Sequence, residues 1–123
     1  MREFLAAMET KARKAEGGHY AFLGPDGSRR GFVQFIIESP TSLTIHRIWA
    51  REPGKGDGTT MMATLCGLAD QFGVELMLKT IPIGRKPYPM DAAQLGKWYG
   101  RFGFQWRGKW MIRSVRSASV AGG

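Results

Sequence analysis

Three glycines within five residues, Gly54, Gly56 and Gly58, stand in the run Pro53-Gly54-Lys55-Gly56-Asp57-Gly58, where an extended apolar segment gives way to a helical period. Glycine has no Cβ, so such a junction can turn several consecutive backbone N–H groups towards one anion. The first turn of the helix adds its own unpaired N–H groups and the positive end of its dipole. The chemistry this suits is the holding of a pyrophosphate. The same residues can equally form a glycine turn with no ligand. A Walker loop would need Gly-Lys-Ser/Thr at the end of its frame, which Gly54-Lys55-Gly56 does not supply. A dinucleotide loop would need G-x-G-x-x-G after the first strand of a parallel sheet, which is not its place here.

The elements that must position this loop follow from the hydrophobic pattern. Residues 2–15, REFLAAMETKARKA, are helix formers with Phe4, Leu5 and Met8 on one side and Gly17-Gly18 as a stop. GHYAFLG, the turn Pro25-Asp26-Gly27 and RGFVQFIIES predict a hairpin. Ser39-Pro40-Thr41-Ser42 then turns the chain into LTIHRIWA, residues 43–50, completing an antiparallel three-stranded meander. Met61, Leu65, Leu68 and Phe72 recur at helical spacing, and Gly73 closes that helix before the apolar run VELMLKT, residues 74–80. A right-handed strand, helix, strand crossover places residues 43–50 and 74–80 parallel in one sheet. The prolines of IPIGRKPYP predict a loop. Asp91 is placed as the N-cap of a helix with Leu95, Trp98, Tyr99 and Phe102 inward and Lys97 and Arg101 outward. The chain ends on a hairpin about Arg107-Gly108. The fold class is α/β with a mixed sheet, residues 1–116 forming one domain and 117–123 a flexible tail.

A chain of 123 residues has room for one core. Hydrophobic residues at 43% and charged residues at 23% exclude wholesale disorder. No apolar run approaches the roughly 18 residues of a membrane span, and the first 16 residues alternate charged and apolar types unlike a secretory segment. The expected protein is soluble and cytoplasmic, with no membrane partner. The single cysteine, Cys66, has no internal disulfide partner and belongs to the core, and with two separated histidines no zinc spacing arises. The net charge of +8 is concentrated: residues 79–123 carry nine Lys/Arg against one acidic residue. Such a field attracts anions. Trp49, Trp98, Trp106 and Trp110 with Arg107, Lys109, Arg113 and Arg116 resemble a surface for single-stranded nucleic acid, though core tryptophans beside solvated charges account for them more simply.

The order of meander, strand, G-x-G loop, amphipathic helix, parallel strand, second helix and final hairpin resembles the GNAT superfamily of acyl-CoA dependent N-acetyltransferases. The run GKGDGTTMMATL from Gly54 is similar to the superfamily's cofactor signature, Arg/Gln-x-x-Gly-x-Gly/Ala, with Gly56 and Gly58 on its glycines and Pro53 at its first position. WYGRFGF, residues 98–104, is similar to its Tyr-x-x-x-Gly-Phe motif. The resemblance runs from about residue 18 to 115, is that of a small phage or bacterial type, and implies that the first strand and one N-terminal helix are missing.

It implies an enzyme that moves an acetyl group from acetyl-CoA to a primary amine by direct attack. The pyrophosphate would rest on Gly54, Lys55, Gly56, Asp57, Gly58 and Thr59, with charge from Arg51. The pantetheine arm would pair with the main chain of Ile48, Trp49 and Ala50, where the parallel strands splay. Tyr99 would protonate the departing thiolate, or else is a buried aromatic of its helix. The base that deprotonates the amine would come from the meander, His46 first and Glu38 second. His46 can also be an ordinary strand histidine, since alternation does not reveal its face across a bulge. The acceptor is unspecified, a small molecule or a protein, and the molecule a monomer or a homodimer. The competing reading is a non-catalytic GNAT-like binding or inhibitory protein that uses its basic aromatic end on nucleic acid or a nucleoprotein.

Overall fold

A computed structural model describes residues 1–15, 19–51, 56–79 and 92–115. The elements in chain order are α1 (Arg2–Lys11), β1 (Arg13–Ala15), β2 (His19–Leu23), β3 (Arg29–Ser39), β4 (Ser42–Ala50), α2 (Asp57–Phe72), β5 (Glu75–Lys79), α3 (Ala92–Gly100), β6 (Gln105–Arg107) and β7 (Trp110–Arg113). The strands form one mixed sheet in the order β1-β2-β3-β4-β5-β7-β6. β4 and β5 are the parallel pair, in register from Ser42 opposite Glu75 to Ile45 opposite Leu78. The predicted crossover and its α/β class are therefore present.

Two expectations need correction. The N-terminal helix stops at Lys11, and residues 13–15 pair antiparallel with His19 to Ala21. The antiparallel meander thus has four strands, β1 to β4. Arg13 and Lys14 are exposed on this edge, and their helix-compatible side chains conceal a pairing made by the backbone alone. The final hairpin turns at Gly108-Lys109, because Arg107 pairs with Trp110. Gly108 alone there has positive φ, 63°, as a two-residue turn with glycine first requires. The expected N-cap Asp91, the loop of residues 81–89, Pro53 and the tail from residue 116 lie outside the described residues.

One face of the sheet carries the helices. Val33, Phe35, Leu43, Ile45, Leu76, Leu78 and Met111 point into a core with Phe4 and Met8 of α1 and Met61, Met62, Leu65 and Ala69 of α2. Each large side chain sealed there contributes about 1.5 to 3 kcal/mol relative to exposure. The close approach of α2 depends on Gly31 of β3. A Cβ at that position would meet the Trp49 carbonyl oxygen and the Met61 side chain, the latter at 2.7 Å. Gly31→Ala is expected to lower unfolding free energy by about 1 to 3 kcal/mol in denaturant titrations, and an unchanged midpoint would refute this account of the packing. α2 ends as the sequence predicts: Gly73 takes φ 70°, and the Val74 N–H donates to the Ala69 carbonyl at 2.8 Å.

A buried ion pair ties the C-terminal half together. Arg113 of β7, 4% exposed, donates twice to the Asp70 carboxylate of α2, at 2.8 and 2.7 Å. Its Nε donates to the Phe102 carbonyl at 2.6 Å. That carbonyl belongs to the turn after α3, so one guanidinium joins β7, α2 and the exit of α3. The hydrogen bonds to Asp70 hold the guanidinium pKa above its usual value despite burial. Arg113 is therefore a structural clamp and not part of a basic surface.

Candidate active site

The site begins with a mismatch of strand lengths. β4 keeps its β3 neighbour as far as Ala50 opposite Gly31, whereas its pairing with β5 ends at Ile45 opposite Leu78. Among the described residues, residues 46–50 present an unpaired strand edge on the β5 side. The departure coincides with a β-bulge: Gln34 pairs with Arg47 and Phe35 with Ile45, so the register skips His46. A bulge bends its strand and adds twist, which is a physical reason for β4 to swing away from β5 at this point. Among the described residues the parallel pairing thus ends before Ile48, Trp49 and Ala50, where the splay was expected.

Of the glycine loop, Gly56, Asp57 and Gly58 are among the described residues. Arg51 leaves β4 with its N–H donating to the Arg30 carbonyl at 2.8 Å. Gly54 and Lys55 lie outside the described residues. Gly56 caps α2 in the left-handed region at φ 84°, without a side-chain cap. Its carbonyl accepts from the Thr60 N–H at 3.0 Å and from the Thr60 hydroxyl at 3.1 Å. Helix geometry leaves the amides of Asp57, Gly58 and Thr59 at the opening turn of α2, with the positive end of the dipole. A Cβ on Gly58 would lie 3.7 Å from the Trp98 indole, so this turn borders α3. Asp57 instead lines a cavity of about 510 Å³ on the opposite flank of α2, which Arg30 also lines.

These features fit the CoA group. An extended arm can pair with the bare edge of residues 46–50, and a diphosphate can sit at the turn from Gly56 to Thr59. Glycines 56 and 58 keep Cβ atoms out of its way.

Tyr99 lies in the core side of α3, 7% exposed, against the rings of Trp98 and Phe104. Burial raises its phenol pKa to about 12, so the group is a proton donor at neutral pH and not a base. Leu95, Trp98 and Phe102 pack against the core and Lys97 and Arg101 are exposed, as the helical spacing predicted.

The two base candidates separate. His46 is exposed at the bulge, at the foot of the splay. Glu38 is at the opposite end of the sheet, beside the Ser39 and Ser42 pair, where its carboxylate accepts from the Thr44 hydroxyl at 3.0 Å. That hydroxyl lies one residue before Ile45, the last residue of β4 paired with β5, so the Glu38 carboxylate reaches back towards the foot of the splay although its own backbone lies near the start of β4. Both sit on strand positions of similar exposure, and only the register tells them apart.

The tryptophans also need a correction. Trp98 is partly buried against the core, while Trp49, Trp106 and Trp110 are 41%, 53% and 37% exposed. Among the described residues, no helix is long and apolar enough to cross a membrane.

No protein-family model and no curated protein sequence matches the chain. Solved structures do. Ard1 from Thermoplasma volcanium superposes with a TM-score of 0.62 at 16% identity over 94% of this chain and 80% of its own. The GNAT family N-acetyltransferase YhbS from Escherichia coli, solved in complex with CoA, gives 0.55 at 12% identity over 93% of this chain and 66% of its own. The anti-CRISPR protein AcrVA5 gives 0.54 at 17% identity over 68% of this chain and 90% of its own. Strand order, the interrupted parallel pair and these superpositions agree: the chain has the fold of the GNAT superfamily of acetyltransferases.

Proposed function

We propose that this chain is an acetyl-CoA dependent N-acetyltransferase that acetylates a primary amine. The observation that carries this reading is the coincidence of two features. Among the described residues the pairing of β4 with β5 ends at Ile45 opposite Leu78, and the next described element after β4 is α2, opened by a left-handed Gly56. Acetyl-CoA supplies an activated acyl thioester. The main chain of Ile48, Trp49 and Ala50 holds the extended arm, and the amides from Gly56 to Thr59, with Gly54, Lys55 and the charge of Arg51, hold the diphosphate. A strand edge of this kind positions more than it activates, so the rate gain rests mainly on orientation. His46 accepts the proton of the incoming ammonium, directly or through a water. Tyr99 gives a proton to the departing sulfur.

Thermal unfolding with and without CoA tests the binding half. At about 100 times its dissociation constant, a ligand of the native state adds roughly 2.7 kcal/mol, or about 10 °C in a protein of this size. Stabilisation by both CoA and acetyl-CoA, with thiol release in the presence of a panel of primary amines, is the expected result. The absence of any shift with either compound would sink the reading.

A further inference from the structure

All three helices lie against one face of the sheet: α1 through Phe4 on Phe35, α2 through Met61 at Gly31, and α3 through Gly96 against Trp106 of β6. Strand alternation and register then identify the residues of the other face. Across its upper end, Phe32 of β3 stacks on Trp49 of β4, rings 5.6 Å apart and 29° from parallel. His19 of β2 sets its edge on Phe32 at 5.3 Å. Beyond the splay, Lys79 of β5 holds its ammonium 4.6 Å from the ring centre of Trp110 of β7. Trp49 and Trp110 thus flank the splay on this face, both more than a third exposed. They stand two strand spacings apart and are offset by two to three residues along the strands, roughly 12 to 14 Å before any splay widens the gap.

The charges on the face are segregated along the strands. Arg47, paired with Gln34, shares this face with Lys79 and with Arg107, paired with Trp110, all at the end where the splay opens. Among the described strand residues the carboxylates of this face are Glu75, where β5 begins, and Glu38, held on the Thr44 hydroxyl below the bulge. Exposed indoles between the cations Arg47, Lys79 and Arg107 match a ligand that carries flat rings on a polyanionic backbone. An acidic peptide would satisfy the cations but leave the exposed surfaces of Trp49 and Trp110 in water.

We infer that this sheet face, on which no described helix lies, is a docking platform for single-stranded nucleic acid, its bases on Trp49 and Trp110 and its phosphates on Arg47, Lys79 and Arg107. The platform differs from the basic aromatic set expected from sequence, because Trp98, Trp106 and Arg113 belong to the helix side. It would bring an amine carried on, or bound to, a nucleic acid to the mouth of the splay. Docking itself requires no acetyl transfer, so its success or failure is independent of the enzyme reading.

The test is fluorescence anisotropy of a labelled short oligothymidylate with the full chain, without CoA, between about 50 and 200 mM salt, beside a labelled oligoaspartate of equal length. Three phosphate contacts predict a slope of about −2 in log affinity against log salt. Trp49→Ala and Trp110→Ala should each weaken binding about tenfold or more. Arg47→Gln and Lys79→Gln replace exposed side chains, so they report even if a tryptophan variant misfolds, and each should flatten the slope by about 0.7. Lys97→Gln and Arg101→Gln, which remove the same charge from the exposed side of α3, should leave affinity within about twofold. No binding at the lowest salt, tighter binding of oligoaspartate, or loss of affinity with the α3 variants but not with the sheet variants would overturn the inference.

Discussion

Tyr99→Phe is expected to lower kcat by about 100-fold or more while leaving the KM for acetyl-CoA and the stabilisation by CoA nearly unchanged. A thiolate leaving an apolar site needs a proton, and a positioned general acid typically contributes 10²- to 10⁴-fold. Tyr99 is suited to this, since burial lifts its pKa to about 12 and keeps the phenol protonated throughout the physiological range. Its titration therefore cannot produce an alkaline limb in kcat below about pH 11, and an alkaline loss at lower pH must come from another group. The same shift has a consequence for stability. The folded state holds this proton more tightly than the unfolded chain, whose phenol ionises near 10. The contribution is complete below pH 10 and is lost as pH climbs towards 12, a differential of about 2 to 3 kcal/mol that Tyr99→Phe should not show. Unchanged kcat in the variant would make Tyr99 a packing residue of α3. A raised KM with intact kcat would move it from proton transfer to binding.

Breaking the Arg113 clamp should have the largest effect on stability. Arg113→Met leaves the Asp70 carboxylate without its guanidinium and strips the Phe102 carbonyl of a 2.6 Å donor. Removing one partner of a buried pair costs about 3 to 5 kcal/mol. Asp70 is one quarter exposed, which places the expected loss near the lower figure, about 3 kcal/mol and roughly 10 °C in Tm. Asp70→Asn should cost less, because the amide oxygen still accepts from the guanidinium. The double variant Asp70→Leu with Arg113→Met should recover part of the loss, since no buried charge is then left alone. Additive single losses in that cycle would show that the two groups do not act as a pair. Activity should fall with stability in Arg113→Met, because the turn that follows Tyr99 hangs on the same guanidinium.

The elements that were legible in the sequence are those whose side chains alone announce them. Met61, Leu65 and Leu68 recur at helical spacing because one stripe of α2 meets the sheet, and Gly73 ends that helix in a conformation glycine adopts freely. The β-branched and aromatic runs of β3 and β4, bounded by Gly27 and Pro40, likewise declare strands. β1 was hidden because Arg13 and Lys14 contribute nothing to a core, so their pairing leaves no hydrophobic trace. The Arg113 clamp was hidden for a related reason: an arginine in a basic C-terminal third looks solvated until a carboxylate 43 positions earlier is brought to it.

What the sequence determined by itself is the G-x-G turn at a strand-to-helix junction, the parallel crossover that surrounds it, and Tyr99 on an inward helix face. Local periodicity and glycine placement are sufficient for these, because each is a property of contiguous residues. The places of His46 and Glu38 along the sheet, the end of the β4–β5 pairing before Ile48 to Ala50 among the described residues, and the gathering of Trp49, Lys79 and Trp110 on the face without described helices were decided only by tertiary structure. Each depends on where strand register breaks between β3, β4 and β5, and a one-residue slip at a bulge changes which face a side chain occupies without altering the composition of any strand.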